Sequence, residues 1–415
     1  MKKFTMMHAT LCIWILSAVV CVGRGHHHEG HDQDTALDSS ADSVSLVTSA
    51  NKEFAYRMYK KLAAHTESQG KNIFFSPASL SIALAALSVG ARGETHRQLL
   101  SGLGFNSSLL TQTVVDQSFR TLLQRANKTS QEDISEGTAV FVDNCFKLQP
   151  EFLDVLKQSY FADGFEVDFT KSTDSADTIN KYVEEKTNGK IDKLVESLDP
   201  STVMYLVSYI FYKGKWATPF DPELTKEDTF TVDESTKVPV QMMNMERQFD
   251  TYYDQAINTS VLHLPFNNSY SMLLLLPDDM ATLENVICPS HVTKWLKGMK
   301  SRTYDVYIPK FSIKTSYSLK DILIEMGMTD MFGDRADLSG ISEGRELLVS
   351  EVVHKAALDV DEAGATATAV TGMVIIKRLM IIYPVLKFNR PFMVLITEHT
   401  TENILFMGKI INPNI

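Results

Sequence analysis

The sequence predicts an α+β fold with large, mainly antiparallel sheets. Amphipathic helical segments dominate the first half of the chain, and segments rich in β-branched and aromatic residues dominate the second half. From about residue 50 onward no Pro- or Ser-rich linker divides the chain, so we expect a single domain at 51–415. With 415 residues, 44% hydrophobic and 22% charged, the chain is long and apolar enough for a substantial core.

The predicted helices have apolar residues at helical spacing. "NKEFAYRMYKKLAAH" is amphipathic, "SLSIALAALSVGA" is Ala-rich and apolar enough to be buried, and "DTINKYVEEKTNGKIDKLV" has a stop at Asn188-Gly189. The predicted strands are dense in strand-forming residues. They are "VMYLVSYIFYKGKW", "YSMLLLLP", "YDVYIPKFSI", "PFMVLITE" and "NILFMGKII".

The N-terminus has the pattern of a secretory signal peptide at residues 1–23. Lys2 and Lys3 form a basic start, and an apolar run follows from about residue 11 to residue 22. The alternative is a membrane anchor, but the apolar run is short for a bilayer span, and no later segment is long and apolar enough. We therefore expect a secreted, extracellular protein, plasma-like in location.

Four Asn-x-Ser/Thr sequons accompany the signal peptide and predict a glycoprotein. Their acceptor residues are Asn106, Asn127, Asn258 and Asn267. Removal of the signal peptide leaves two cysteines, Cys145 and Cys288, which are too few for a disulfide framework. A single pairing is one alternative, and two buried free thiols are the prediction that we prefer.

Residues 24–50 are polar and lack a hydrophobic period, which predicts a disordered tail. The tail contains a histidine cluster, which is either a weak metal site or simply solvated, and we favour the solvated tail. The cluster consists of His26, His27, His28 and His31.

The rest of the sequence argues against an enzyme, a nucleic-acid-binding protein and a metalloprotein. The G-x-S-x-G, H-E-x-x-H and phosphate-loop motifs are missing, and the later histidines have no metal-ligand spacing. A net charge of -11 disfavours general nucleic-acid binding, although a local basic patch remains compatible with it. We expect no catalytic residues, no metal, no nucleic acid and no membrane partner.

Several ordered motifs resemble those of the serpins, and within them the plasma α1-antitrypsin-like group. The resemblance runs from about Asn51 to Ile415. The motifs are "NIFFSPASLSIALAALSVGARGETHRQLLSGLGF", "INKYVEEKTNGKI", "YIFYKGKWATPF", "VVHKAALDVDEAGATATA", "KFNRPFMVLI" and "ILFMGKIINP". So many matches in the family's order indicate a serpin fold.

The resemblance implies three β-sheets, about nine helices and an exposed reactive-centre loop. It also implies suicide inhibition of an extracellular serine protease, which cleaves the loop and becomes acylated while the loop inserts into the main sheet. The inhibitor would be a monomer that requires no cofactor, with loop–sheet polymers as its failure mode. The alternatives are a non-inhibitory serpin that carries a hormone or other small ligand, and an inhibitor of elastase- or chymotrypsin-like proteases.

The chemistry of the loop supports insertion. An inserting segment must become a central strand, and residues 364–376 contain neither Pro nor charge. Alternation places small residues on one face, and Gly364 offers backbone freedom at the pivot. That face carries Ala365, Ala367, Ala369 and Thr371. The alternative reading is an ordinary edge strand.

Two counts place the scissile bond differently. Counting seventeen residues from the hinge residue Glu362, as the resemblance implies, gives the bond Arg378-Leu379. Counting back from "KFNRPF" gives Met380-Ile381 instead. We prefer the first bond, because the inserted length decides how far the protease is carried, and arginine suits the acidic pocket of a trypsin-like protease. A plain nicking site at Lys377-Arg378 is a further alternative.

The resemblance also assigns two polar clusters. The shutter, beneath the point where the sheet opens, comprises Ser76, Ser79, Ser208 and His354. Ser208 stands where the family usually has Asn, and its shorter side chain implies either a rewired cluster or a water that fills the gap. The breach, at the base of the loop, comprises Trp216 and the ion pair of Lys310 with Glu362.

A basic segment, "HVTKWLKGMKSR", resembles the helix on which some serpins of this group bind heparin. Its cations are Lys294, Lys297, Lys300 and Arg302. A heparin or other glycosaminoglycan site on this helix is therefore one expectation, and a solvated basic face is the alternative that we favour. The helix that binds heparin in antithrombin-like relatives matches "LLTQTVVDQSFRTLLQRANK", which is sparsely basic.

Overall fold

The computed structural model describes residues 34–129, 134–343, 347–363 and 383–415. The chain divides into two compact units, residues 1–39 and residues 40–415. Every strand of the described ranges belongs to the second unit. In the first unit, the described residues 34–39 are helical.

Nine α-helices occur in the described ranges, in agreement with the number that the resemblance implies. They are α1 (Asp34–Ala64), α2 (Pro77–Gly90), α3 (Gly93–Leu103), α4 (Gln112–Thr129), α5 (Pro150–Val155), α6 (Ser172–Lys186), α7 (Met280–Val286), α8 (Pro289–Gly298) and α9 (Lys320–Glu325). The predicted stop after α6 is confirmed, because Asn188 and Gly189 have φ angles of 50° and 74°, in the left-handed region that ends helices.

The strands concentrate in the second half of the chain, which confirms the predicted α+β class. They are β1 (Ile73–Phe75), β2 (Ile134–Asp143), β3 (Asp163–Val167), β4 (Met204–Tyr212), β5 (Lys226–Thr231), β6 (Lys237–Asp254), β7 (Thr259–Pro265), β8 (Tyr270–Pro277), β9 (Lys300–Pro309), β10 (Phe311–Ser318), β11 (Glu351–Val360), β12 (Val385–Lys387), β13 (Phe392–Glu398) and β14 (Ile404–Ile410).

These strands form two hydrogen-bonded sheets. The five-stranded sheet has the order β10-β11-β4-β2-β3, and the nine-stranded sheet follows β1-β14-β13-β8-β7-β6-β9-β12 with β5 paired to β6. The expected third sheet is merged into the second, because the 18-residue strand β6 pairs with β5 near its start and with β7 near its end. Most pairs are antiparallel, and three are parallel: β2–β3, β4–β11 and β9–β12.

Helices cover the five-stranded sheet. On one face, Ile179 and Val183 of α6 join a buried cluster with Val207 and Tyr209 of β4. On the other face, α2 is buried along most of its length, as its Ala-rich sequence predicts. The main core therefore lies around α2, between the two sheets.

The predicted disordered tail at 24–50 is wrong for its C-terminal part. Helix α1 begins at Asp34, and Val44 and Val47 are buried with Phe54 along one side of the helix. The spacing between these residues is helical, but the Ser, Thr and Asp residues around them hide the period in the sequence. Ordered packing therefore starts several residues before Asn51. The histidine cluster of the tail lies outside the described residues.

The prediction of buried thiols is also wrong. Cys145 and Cys288 are both free, but Cys145 is exposed and Cys288 is only half-buried. Cys145 follows the end of β2, and Cys288 occupies the N-cap position of α8, where the Sγ atom lies 3.2 Å from Nδ1 of His291. Both positions are at the ends of elements, where a side chain is seldom enclosed.

The packing of α1 before Asn51 predicts that Val47→Asp is destabilising. A buried carboxylate without a partner should lower the free energy of unfolding by roughly 2 kcal/mol or more. Ser45→Asp, an exposed position on the same helix, is the matched control and should change it by less than about 0.5 kcal/mol. Urea unfolding midpoints measure both values, and equal midpoints would show that this part of α1 does not pack.

Candidate functional site

The candidate site is built around the parallel pair β4–β11 inside the five-stranded sheet. The two strands pair directly from Glu351 opposite Tyr205 to Leu358 opposite Tyr212. Beyond β11 the chain continues through residues 361–363 into the predicted reactive loop. The loop residues 364–382 lie outside the described residues. The next strand, β12, belongs to the nine-stranded sheet.

The predicted loop residues therefore lie outside the described residues. They are the hinge residues Gly364, Ala365, Ala367 and Ala369, and the scissile-bond candidates Arg378, Leu379, Met380 and Ile381. Both assignments stay predictions.

At the base of the loop, Trp216 holds the backbone of residues 361–363. Its indole Nε1–H donates to the carbonyl of Asp361 at 2.7 Å, and its backbone N–H donates to the carbonyl of Ala363 at 3.0 Å. The backbone N–H of Phe220 donates to the remaining carbonyl, that of Glu362, at 3.1 Å. The indole stacks on Phe266 with ring centroids 4.6 Å apart. Residues 361–363, the last described residues before the loop, are thus held by backbone hydrogen bonds as well as by the side chain of Trp216.

The structure brings the predicted breach pair together. Lys310 Nζ lies 2.8 Å from Glu362 Oε2, and Thr225 donates to the other oxygen, Oε1, at 2.8 Å. The side chain of Glu362 is only 12% exposed. Burial tends to raise the pKa of Glu362, but the hydrogen bonds from Lys310 and Thr225 outweigh it and hold that pKa below its ordinary value.

A second ion pair reinforces the first. Lys213 Nζ lies 2.7 Å from Asp361 Oδ2. Burial would raise the pKa of Asp361, but the bond from Lys213 keeps it lowered. Two neighbouring carboxylates therefore stay ionised, each with its own lysine. Sequence reasoning missed the Lys213–Asp361 pair, although both residues lie within motifs that it had singled out.

The shutter residues also meet, at the N-terminus of α2. The backbone N–H of Ser76 donates to His354 Nε2 at 2.9 Å, so the ring proton of the neutral imidazole must be on Nδ1. Nδ1 therefore donates to Ser208 Oγ, 3.0 Å away. Full burial lowers the pKa of His354 to about 3, and this favours the neutral ring that both bonds require. The shutter is therefore rewired through Ser208, and both ring nitrogens of His354 have a hydrogen-bond partner.

Glu136 is a shutter neighbour that sequence reasoning missed. Ser79 Oγ, which is 3.1 Å from Ser76 Oγ, donates to Glu136 Oε2 at 3.1 Å. Burial raises the pKa of this carboxyl group, and the bond from Ser79 only partly offsets the rise. The clue in the sequence is the alternation of "ISEGTAVFVD", which puts Glu136 on the same strand face as buried Val140 and Val142.

The expectation of four cations on one helix is wrong. Lys294 and Lys297 lie on α8, but Lys300 and Arg302 lie on β9, because α8 ends at Gly298. All four residues are exposed. Lys294 Nζ is already 2.9 Å from the buried carboxylate of Asp254. Glycosaminoglycan binding at these residues stays a prediction.

The remaining predictions concern the surface and the absence of other sites. The four sequon asparagines, Asn106, Asn127, Asn258 and Asn267, are exposed, so a glycan has access to each. Among the residues described, no group of three or more His, Cys, Asp or Glu is placed to hold a metal ion. None of the helices seen in the described ranges has the length and apolar character needed to cross a membrane.

Comparison with known proteins gives one consistent family. The family model described as Serpin (serine protease inhibitor) matches residues 49–413. Alpha-1-antiproteinase of Callosciurus caniceps is 42% identical over 404 residues, which cover 96% of this chain and 97% of the relative. Human thyroxine-binding globulin complexed with thyroxine has a TM-score of 0.84 at 34% identity, covering 90% of this chain and 100% of that one. Human glycosylated kallistatin has a TM-score of 0.82 at 35% identity, covering 90% and 99%.

The shutter geometry predicts a pH dependence. The pKa of His354 is about 3 in the folded protein and near the ordinary value of about 6.5 in the unfolded chain, which therefore binds the proton first as pH falls. The stability contributed by the neutral ring is complete above about pH 6.5 and is lost toward about pH 3. Urea midpoints of the wild-type protein should fall with pH across this range.

His354→Gln should show a shallower fall of the midpoint, besides a lower midpoint at neutral pH. His65→Gln, beyond the end of α1, is the matched control and should retain the wild-type slope. Equal slopes for the wild-type protein and His354→Gln would contradict a buried neutral imidazole.

Proposed function

The chain belongs to the serpin family, and we propose that it is a secreted suicide inhibitor of trypsin-like serine proteases. The protease cleaves the reactive loop and is trapped as an acyl-enzyme when the loop inserts between β4 and β11. The observation that carries this proposal is the direct parallel pairing of these two strands, with β11 leading into the loop. Family membership supports protease inhibition in general, whereas the mechanism and the target are our proposal.

The sheet topology suits insertion. β4 and β11 run in the same direction, so a segment that turns back after residue 363 runs antiparallel to both. Such a segment replaces one parallel ladder with two antiparallel ladders, which are slightly more stable for each residue. Residues 364–376 suit this position, because they contain no Pro and no charge.

The covalent step uses the ordinary chemistry of a serine protease. The protease's serine Oγ attacks the carbonyl carbon of Arg378 and gives its proton to the protease's histidine. The peptide bond to Leu379 then breaks, the histidine returns the proton to the leaving amine, and an ester joins Arg378 to the protease. Insertion before water hydrolyses this ester traps the enzyme. With Met380-Ile381 as the scissile bond, the same chemistry would trap elastase- or chymotrypsin-like proteases.

A small-ligand carrier is the second candidate function. The similarity to thyroxine-binding globulin, solved as a complex with thyroxine, favours it. However, the small residues predicted to face inward in the hinge are those that insertion needs and a carrier does not require. We therefore rank inhibition first. We also propose secretion and glycosylation, on the basis of the signal peptide and the four exposed sequons.

Incubation with trypsin tests the proposal. We expect a complex that survives SDS electrophoresis, and N-terminal sequencing should show a released peptide that begins at Leu379. Arg378→Ala should abolish the complex with trypsin, whereas Met380→Ala, the matched control, should retain it. Cleavage without a stable complex would contradict inhibition, and a peptide that begins at Ile381 would move the bait to Met380.

Hinge variants separate cleavage from insertion. Ala365→Arg puts a charge on the face predicted to be buried after insertion, so the protein should be cleaved by trypsin without trapping it. Thr366→Arg places the same charge on the opposite face and should leave most of the trapping intact. The fraction of inhibitor that appears as SDS-stable complex measures both. Efficient trapping by Ala365→Arg would exclude insertion in this register.

The breach pair predicts a route to polymers. Glu362→Gln weakens two charge-assisted bonds and should lower stability by about 1–2 kcal/mol, a value reduced because Lys310 is partly exposed. On mild heating, native gels should show more loop–sheet polymer than for the wild-type protein. Glu223→Gln, at a nearby exposed position, is the control and should match the wild-type protein. Unchanged polymer formation would show that the pair does not hold the sheet closed.

A further inference from the structure

A cavity of about 420 Å³ lies beside the start of α2, and residues 361–363 of the loop base are not part of its lining. It is bounded by α2, α4, the start of β8 and the turn between β13 and β14. Much of its wall is apolar, with Ala78, Ile82, Phe119, Leu122 and Leu405 among the lining residues. This volume is within the range of pockets that hold small organic molecules, roughly 300–1,000 Å³. An apolar wall of this kind favours an apolar ligand body.

One polar group on the lining has no partner. Asn51 of α1 lines the cavity and is only 4% exposed, and its buried side-chain carbonyl oxygen accepts no hydrogen bond. Buried polar groups in folded proteins are almost always paired. This oxygen has less than 1 Å² of accessible surface, so it lies inside the wall and does not face the cavity.

A second acceptor on the lining is the carboxyl group of Glu136, which a bound cation would hold in its ionised form. Glu136 is half-buried and receives a single side-chain bond, from Ser79. Across the part of the chain that the structure describes, no lysine, arginine or histidine nitrogen lies within ion-pair distance of it. A carboxylate with so little compensation in a partly dry site attracts a cation.

The other charged groups on the lining are already engaged. Glu398 Oε2 accepts from the backbone N–H groups of Thr400 and Thr401 and from the hydroxyl of Thr401. Arg125 also has an interaction partner. Among the charged groups on the lining, Glu136 is therefore the one left to select a ligand, and it lies beside an apolar wall.

We propose that this cavity binds a small amphipathic amine. The apolar body packs against Ile82, Phe119 and Leu122, and the protonated amine donates to Glu136. An anion of the same shape is repelled by the carboxylates of the lining, and a neutral alcohol leaves the charge of Glu136 uncompensated.

Calorimetry with the full chain at neutral pH tests the proposal, with adamantylamine and the matched alcohol adamantanol as probes. We expect saturable binding of the amine at a single site, at least roughly tenfold tighter than binding of the alcohol. Glu136→Gln should weaken amine binding by roughly tenfold and leave alcohol binding unchanged. The control Glu227→Gln, at an exposed position on β5, should bind both probes as the wild-type protein does.

A second variant tests the location. Leu122→Trp fills the cavity and should abolish binding of both probes while the urea midpoint stays unchanged. If the midpoint falls, Glu136→Gln alone decides the question. The proposal is overturned if the wild-type protein binds no amine, if amine and alcohol bind equally, or if Glu136→Gln binds the amine as tightly as the wild-type protein. Amine binding retained by a stable Leu122→Trp would also overturn it.

Discussion

The parallel ladder between β4 and β11 is the interaction on which the rest of the structure depends. It closes the five-stranded sheet along the line where the chain beyond β11 would have to enter. Each backbone hydrogen bond contributes about 0.5–1.5 kcal/mol net, so exchanging one ladder for two of similar length stabilises the sheet by several kcal/mol. Under the proposed mechanism, the closed sheet is therefore less stable than the sheet with the loop inserted, and the contacts that hold β4 to β11 decide when insertion occurs.

The contacts that hold β4 and β11 together are polar, and they lie at two places along the strands. At the loop base, backbone bonds to Trp216 and Phe220 and the two lysine–carboxylate pairs hold residues 361–363. Farther along the same line, His354 of β11 lies directly opposite Ser208 of β4, and their side chains are hydrogen-bonded. Separating the strands must break this bond. Such hydrogen bonds can break and form again easily, because each contributes little net stability once water can replace it.

Much of this arrangement could be predicted from the sequence. Periodicity located helices such as α2 and α6 and strands such as β8, and the family resemblance brought Trp216, Lys310, Glu362 and His354 into their clusters. The features that the sequence did not predict depend on tertiary contacts. The burial of Val44 and Val47 is visible only when the core that receives them is present. The partner of Glu136 is set by how β2 packs on α2, and the end of α8 before Lys300 depends on the pairing of β9 with β6.

The N-terminus of α2 explains how the shutter resists separation of β4 from β11. Ser76 holds His354 of β11, and Ser79, three residues later, holds Glu136 of β2. Strand β4 lies between β11 and β2, so one helix end is tied to strands on both sides of the β4–β11 line, where the proposed insertion would open the sheet. Widening the gap between β4 and β11 moves the two tied strands apart, and α2 cannot follow both. Opening must therefore break at least one of the two serine bonds in addition to the His354–Ser208 bond, so the helix resists a separation that the ladder alone would allow.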